Sequence, residues 1–425
     1  MKNLVLFCIF WMFCIHLNAQ FTIVKIDSIN NIGDFDIAID NNNVPYVVYG
    51  DETNNLVKLA KWNGTSFDVE TVCDMPDMGA AITFDGSNKP HIVYIRREGF
   101  DNPQLVYATK PTSSWDTTVL LTSSSLHKKP TISLDQNDNP VVFEKCNYYH
   151  FNGSSWIMDT ISADNGISGS LVVDASGVMH AAYYVPSPDY KVYYVKKDGA
   201  TREKTIIEND AEKNVIQPRI ALLSDDTPVI GYGEEQQTIE YAVYNGSAWD
   251  TAEIGGVSQE GMDMAVYNNN PQFSVYKSYG IHHFSWDGSS NTDTEVEVFV
   301  ESTLDESELA ITSNGTACVV YVKNSTEGLK MAYNGSLTSG IQTNNISPTN
   351  ITIAPVPASD YLTIVSTQAN KIISVDILDE KGKILLSETI QNTEAKLDIT
   401  KINSGIYIIN ALTEKGTINK KFIKE

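Results

Sequence analysis

The residues best equipped to grip an anionic ligand are the arginines, and only four occur: Arg96, Arg97, Arg202 and Arg219. A guanidinium pair such as Arg96-Arg97 binds a carboxylate in bidentate fashion. The four are otherwise scattered, and do not make the cluster that a carboxylate-directed glycan hydrolase needs. The histidines offer less. His282 and His283 are consecutive, and in a strand consecutive side chains face opposite ways, so any one site receives one ring. His91 and His180 fall at the same place in a repeating pattern, which reads as packing. Residues 40–43, 85–88 and 135–139 are rich in Asp and Asn, the oxygen donors of calcium loops. They recur between the same two strands, however, where Asp and Asn close turns by bonding their own backbone. There is no G-x-S-x-G elbow, H-E-x-x-H or phosphate loop. Cys73, Cys146 and Cys318 are too dispersed for a disulfide framework or a zinc site, and read as small buried side chains. No cofactor, metal or catalytic group is expected.

What must position these residues is a repeat. An apolar strand, a polar turn and then Pro-x-apolar-x-Tyr recur, with the second strand opening at residues 45, 90, 140, 179, 228, 271 and 317. A period of about 45 residues fits a four-stranded propeller blade, whereas a β-sandwich needs ~100. Hairpin signals follow the third strands, at Asn63-Gly64, Asn152-Gly153, Asp198-Gly199, Asn245-Gly246, Asp287-Gly288 and Asn334-Gly335. Trp62, Trp115, Trp156, Trp249 and Trp286 recur by position and read as core and rim. The copy opening at 317 lacks an outer strand, while residues 21–26 precede the first copy as an orphan strand. The two are expected to pair and close the ring. The fold class is therefore all-β: a seven-bladed β-propeller over residues 20–340, acting as a monomer. On such a scaffold function resides in loops that differ between blades. Those between second and third strands carry Arg96 and Arg97, Asp189 and Tyr190, and Glu234 and Glu235, the candidate binding residues.

The blades resemble a class of bacterial extracellular propellers with the pattern "D-x-N-x-P-H-I-x-Y … L-x-Y-A-x-W-N-G". The likeness covers roughly residues 21–336 and implies fold rather than activity. It is broken at Glu144 and Val275, where tyrosine is expected.

Both ends speak of export. Met1-Lys2, an apolar run to Leu17 and Ala19 before Gln20 have the layout of a secretory signal over residues 1–19. No later stretch reaches the ~20 apolar residues of a membrane span. Residues 341–350 form a polar linker, and short β-type runs then fill residues 351–425, as in a small β-sandwich of immunoglobulin-like kind. Pro355-Val356-Pro357-Ala358-Ser359-Asp360, the turn at Gly382, the Gly405-Ile406-Tyr407 strand and Lys420-Lys421 near the terminus resemble, in order, the motifs of the type nine (Por) secretion sorting domain. The family's usual Asn is Val356 here. The resemblance implies contact with the secretion machinery, removal of this domain, and release or attachment to the cell surface.

Net charge is −23, and the C-terminal 75 residues balance nine lysines with nine acids, so the propeller region holds the excess. Such a surface repels nucleic acid. The expected function is a secreted or cell-surface binding protein for a glycan or a protein, the alternative a glycan-active enzyme. A cluster of acids at the channel mouth would favour the enzyme, mixed polar and aromatic residues the binder.

Overall fold

The computed structural model describes residues 21–74, 76–97, 102–126, 129–186, 190–208, 215–234, 238–255, 261–277, 280–286, 290–299, 306–323, 327–338, 351–366, 371–379, 383–413 and 416–425. All regular structure among them is β-strand, and none of their helices, there being none, is long and apolar enough to cross a membrane. The chain divides into two compact units between Gly340 and Ile341.

In the first unit the described strands form seven four-stranded antiparallel sheets, numbered here in the order of their inner strands. Those strands are Ile32–Ile39, Pro76–Phe84, Thr131–Leu134, Ser168–Val173, Val215–Leu222, Met262–Tyr267 and Ser307–Ile311. Each touches the next, and the last touches the first, so the sheets close into a β-propeller around an axis. Second strands lie between neighbouring sheets and are buried on both faces, as in Pro140–Glu144 and Ala317–Val322. That is why they read as near-continuous apolar runs rather than as alternation. Outer strands such as Thr201–Glu208 face solvent on most positions and read as polar.

The seventh sheet takes its outer strand from the start of the chain, as expected. Thr22–Asp27 runs antiparallel to Leu329–Tyr333, with Thr22 opposite Tyr333 and Val24 opposite Met331. The tyrosine that ends the repeated motif acts as a bolt between sheets. Tyr49 donates to Asp27 Oδ2 at 2.6 Å and Tyr321 to Glu297 Oε2 at 2.7 Å, each across to the preceding sheet, and Tyr183 donates to Asp164 in the connection from the preceding sheet. Lysines complete the pairs: Lys58 Nζ is 3.2 Å from Asp27 and Lys330 Nζ is 3.1 Å from Glu297. We expect Tyr321→Phe to cost about 1 kcal/mol, one net hydrogen bond, because Glu297 keeps both Lys323 and Lys330. Urea unfolding followed by tryptophan fluorescence checks this, since residues 351–425 contain no tryptophan.

The Asp-led turns are closed by their own side chains. Asp40, Asp85, Asp135 and Asp174 each accept two backbone N–H groups, two and four residues on, at 2.8–2.9 Å. Asn43, Asn88, Asp138 and Asp226 take φ of 61–64°, the left-handed region that Asn and Asp tolerate. The hairpins differ in detail from a turn with two positive-φ residues. At Asn63-Gly64 only Gly64 has positive φ, 104°, while Asn63 Oδ1 accepts from the backbone of Thr65 and Ser66. Cys146 and Cys318 are buried and Cys73 is half-buried, all three as free thiols.

The second unit has a three-stranded sheet, Ile351–Ala354, Tyr361–Ser366 and Glu394–Asp398, and a four-stranded one, Ile384–Asn392, Ile372–Leu378, Gly405–Thr413 and Gly416–Lys424. Leu362, Ile364, Val375, Ile377, Leu397, Ile409 and Phe422 form one core drawn from both sheets. The motif residues have structural work here. Ala358 N–H donates to Ile423 O at 2.8 Å and Glu425 N–H returns to Ala358 O at 2.9 Å, tying the Pro355–Ala358 opening to the last strand. Tyr407 donates to Asn403 O at 2.8 Å, and a Cβ on Gly405 would come within 3.2 Å of the Tyr407 hydroxyl. Pro355, Pro357, Lys420 and Lys421 are exposed, and Gly382 lies outside the described residues.

Candidate functional site

Strands alternate in direction, so loops between second and third strands all leave one end of the propeller and the first turns and hairpins leave the other. Arg96 ends the second strand of sheet two, and its Nε donates to Gln104 Oε1 at 2.8 Å on the neighbouring strand. Arg97 follows it, exposed. Tyr190, with φ of 45°, is half-buried against the apolar cluster of Tyr184, Val192 and Ile230. Glu234 closes the second strand of sheet five, where its backbone lies opposite Val215. Asp189 and Glu235 lie outside the described residues. Sheets four and five adjoin, whereas sheet three separates Arg96 and Arg97 from them.

At the opposite end a cavity of about 730 Å³ opens between sheets four and five. Tyr194, Tyr244 and Trp249 form its aromatic wall, and Trp249 meets Tyr194 edge-on at 4.8 Å. Lys196, Glu203, Asp225 and Asp226 supply the polar rim. Behind the wall, His180 Nε2 lies 3.3 Å from Asp174 Oδ2 and its Nδ1 lies 2.7 Å from the Tyr194 hydroxyl. Burial holds the imidazole below its usual pKa, which favours the neutral ring that donates a hydrogen bond from Nε2 to Asp174 and accepts one at Nδ1 from Tyr194. Burial also pushes the Tyr194 phenol up, so it keeps its proton at neutral pH. Asp85, His91, Tyr107 and Trp156 repeat the arrangement between sheets two and three, with Tyr107 and Trp156 again at 4.8 Å. The histidines and tryptophans therefore belong to the frame, as their recurrence suggested. What is particular to this cavity is its rim. The equivalent cavity between sheets one and two, about 340 Å³, presents Lys61 and Lys110 beside Asp68 and Glu70 instead.

A third constellation was missed in the sequence. One inner-strand position lies opposite Val48, Val93, Phe143, Ala182, Gly231, Ser274 and Val320 in the seven sheets. It is occupied by Asp36, Ala81, Thr131, Ser170, Arg219, Asp263 and Glu308, a ring of side chains around the axis. Inner strands are sheet edges with unpaired backbone donors, and the ring satisfies several of them. Asp36 Oδ2 accepts from Ile82 N–H, Ser170 Oγ from Ile220 N–H and Asp263 Oδ2 from Leu309 N–H, all at 2.8 Å and all on the next sheet. Arg219 Nε donates to Asp263 Oδ1 at 2.9 Å and its NH2 group to Glu308 Oε1 at 3.3 Å. Lys129, just ahead of the third inner strand, donates to Glu308. Burial raises Asp36 to about 7, helped by the negative charge of Glu308. Burial raises Glu308 too, against the pull of Lys129. The signal that could have found this ring was a titratable residue at one fixed blade position in four of seven copies. Among the described residues no cluster of His, Cys, Asp and Glu is arranged to hold a metal ion.

No curated protein matches the chain. Among solved structures, PorZ of Porphyromonas gingivalis, an essential bacterial surface component of the type-IX secretion system, aligns at 12% identity and a TM-score of 0.41, over 89% of this chain and 68% of its own. The lectin of the fungus Aleuria aurantia, a six-bladed propeller that recognises fucose, aligns at 12% and 0.44, over 63% and 95%. A fungal alcohol oxidase of the AA5 family, in complex with copper, aligns at 11% and 0.48, over 96% and 99%. At such identities these likenesses say nothing of binding or catalysis here. Residues 352–425, by contrast, match the secretion system C-terminal sorting domain family. The chain is thus a β-propeller protein that ends in a sorting domain for secretion.

Proposed function

We propose that this chain is a non-enzymatic binding protein, exported by the type nine route and then released or held at the cell surface, with a glycan or a protein as ligand. Residues 1–19 are its secretory signal, residues 20–340 a seven-bladed propeller, residues 341–350 a linker and residues 351–425 the immunoglobulin-like sorting domain, which meets the secretion machinery. The observation that carries the export half is the sorting-domain match. The binding half rests on the cavity between sheets four and five, where aromatic faces and carboxylates converge, the combination that stacks on and hydrogen-bonds a polyhydroxylated ligand. At the other end Arg96 and Arg97 are a second candidate for recognition, suited by their guanidinium groups to a carboxylate, with Tyr190 and Glu234 on the adjoining sheets four and five another.

Glycan and protein arrays probed with the purified full chain test the reading. Glu203→Gln with Asp226→Asn is expected to weaken binding ~10-fold, about 1.4 kcal/mol. Arg96→Ala with Arg97→Ala leaves it unchanged if the cavity is the site. The reverse pattern moves the site to the loop end, and no ligand on either array removes the reading.

One observation favours the enzyme alternative: acids do gather at the axis, with Asp36 near neutral pKa. Their geometry argues against it, because both Asp36 oxygens accept backbone N–H groups and both Asp263 oxygens are taken by Arg219 and Leu309. Release of reducing ends from glycans by the purified chain would establish the enzyme.

A further inference from the structure

The axial ring has an unbalanced charge count. Asp36, Asp263 and Glu308 bring three carboxylates, and Arg219 and Lys129 bring two cations whose pKa values stay high; burial opposes their charge, but the facing carboxylates, Glu308 foremost, outweigh it. Side-chain exposure is 4% at Glu308, 9% at Lys129 and 10% at Arg219, so water screens these charges poorly, and Asp36 is half-buried beside them. The two cations are not placed evenly. Arg219 serves Asp263 and Glu308, and Lys129 serves Glu308. The hydrogen-bond partners of the Asp36 oxygens are the N–H groups of Ile37 and Ile82, while Lys129 and Arg219 act on it through space, against burial and the charge of Glu308. Two acids stand beside the ring position rather than in it: Asp34 on the strand of Asp36, which accepts from Gly79 N–H at 2.7 Å, and Glu306, 3.9 Å from Lys129, two residues ahead of Glu308 and open to solvent. Asp36 and Glu308 occupy the same ring position on the two inner strands that meet where sheet seven closes on sheet one.

We propose that the axial ring holds the one proton its excess of carboxylates requires, carried by Asp36 and Glu308 at the closing junction, and that the cohesion of the propeller rises and falls with that proton. A buried carboxylate without a counter-charge is far costlier than a neutral one that keeps its hydrogen bonds. The sign follows from linkage. A carboxyl held above its unfolded value of about 4 binds the proton better in the folded state, so its stabilising effect is full below pH ~4 and is lost as pH rises through the folded value. For Asp36 that loss is complete a little above pH 7. The paired surface acids Asp27, Asp164 and Glu297, held low by their lysine and tyrosine partners against burial, lose stability only in stronger acid. Buried His91, His180 and His283, held below the usual imidazole value, act in the opposite sense and lose stability as pH falls below about 6.5, so the ring's contribution is the difference between the wild-type chain and one without the Asp36 carboxylate.

The test is thermal unfolding of the full chain followed by tryptophan fluorescence at pH 5.5 and pH 8. The change in midpoint from pH 8 to pH 5.5 is expected to be more positive in the wild type than in Asp36→Asn by roughly 4 °C. Asp36→Asn keeps an acceptor for Ile82 and removes the charge, so its midpoint at pH 8 should rise by a similar amount. An Asp36→Asn chain that keeps the wild-type slope overturns the proposal. A midpoint at pH 8 that climbs with potassium or sodium at constant ionic strength would also overturn it, by making a cation the counter-charge. Should the variant fail to fold, the native wild-type chain still decides: its infrared spectrum should keep a protonated-carboxyl band at pH 6 that vanishes by pH 8.5, and absence of that band refutes the proposal.

Discussion

A chain cut after residue 350 is expected to fold its propeller and then fail to leave the cell envelope. The reason lies in the independence of the two cores. The sorting unit encloses its own apolar cluster, from Ile351 to Phe422, and the propeller's clusters are drawn from residues 21–337. Removing residues 351–425 thus deletes a recognition element without opening the ring. Fractionation of cells expressing the truncated chain should find it inside the outer membrane, with native tryptophan emission, while the full chain is found outside. Truncated chain at the surface in normal amounts would end the sorting reading. A milder version changes one residue. Gly405→Val places a branched side chain where a Cβ already comes within 3.2 Å of the Tyr407 hydroxyl. Export of that variant should fall because the last two strands repack, even though the propeller is untouched.

Deleting residues 21–27 is expected to do the opposite: it leaves the sorting unit intact and breaks the ring. This strand is the outer edge of sheet seven, paired through Thr22, Ile23, Val24 and Lys25 with Tyr333, Ala332, Met331 and Lys330. It buries Phe21 and Ile26, and Phe21 also meets His283 of sheet six edge-on at 5.7 Å. Two large apolar side chains contribute roughly 3–6 kcal/mol between them, a large share of the 5–15 kcal/mol that holds a typical domain. Asp27 leaves with them, so Tyr49 loses its acceptor and Lys58 keeps only Asp51. The exposed edge of Leu329–Tyr333 then offers a row of unpaired donors and acceptors to other chains. Light scattering should show aggregation at concentrations where the full chain is monodisperse, and the urea midpoint should drop. An unchanged midpoint would mean that the ring closes without this strand.

The contrast between these two experiments shows where sequence reading reaches. The second strands are buried on both faces, so each carries an apolar run that no neighbour can replace, and seven such runs at even spacing announce both the repeat and its missing partner at residues 21–26. The Asp-led turns were readable for a similar reason: the groups that bond, Asp40 and the N–H groups of Asn42 and Val44, lie within five residues of one another. The sorting motifs are likewise short runs of consecutive residues, legible without knowing which strands they meet.

The site was another matter. Variable loops can be found in a sequence, but nothing in Arg96 says that Gln104 will hold it, and nothing in Glu203 or Asp226 says that two sheets will part to leave a cavity between them. The axial ring is the clearest case. Asp36, Lys129, Arg219, Asp263 and Glu308 lie in five different sheets or their leading segments, and each looks like an ordinary polar residue beside an apolar strand. By itself the sequence determined the blades, because their stabilising contacts are local and periodic. Only the tertiary structure decided which charges face one another, because closing a ring brings its first and last strands into contact, and the energy of a buried charge depends on neighbours that periodicity does not encode.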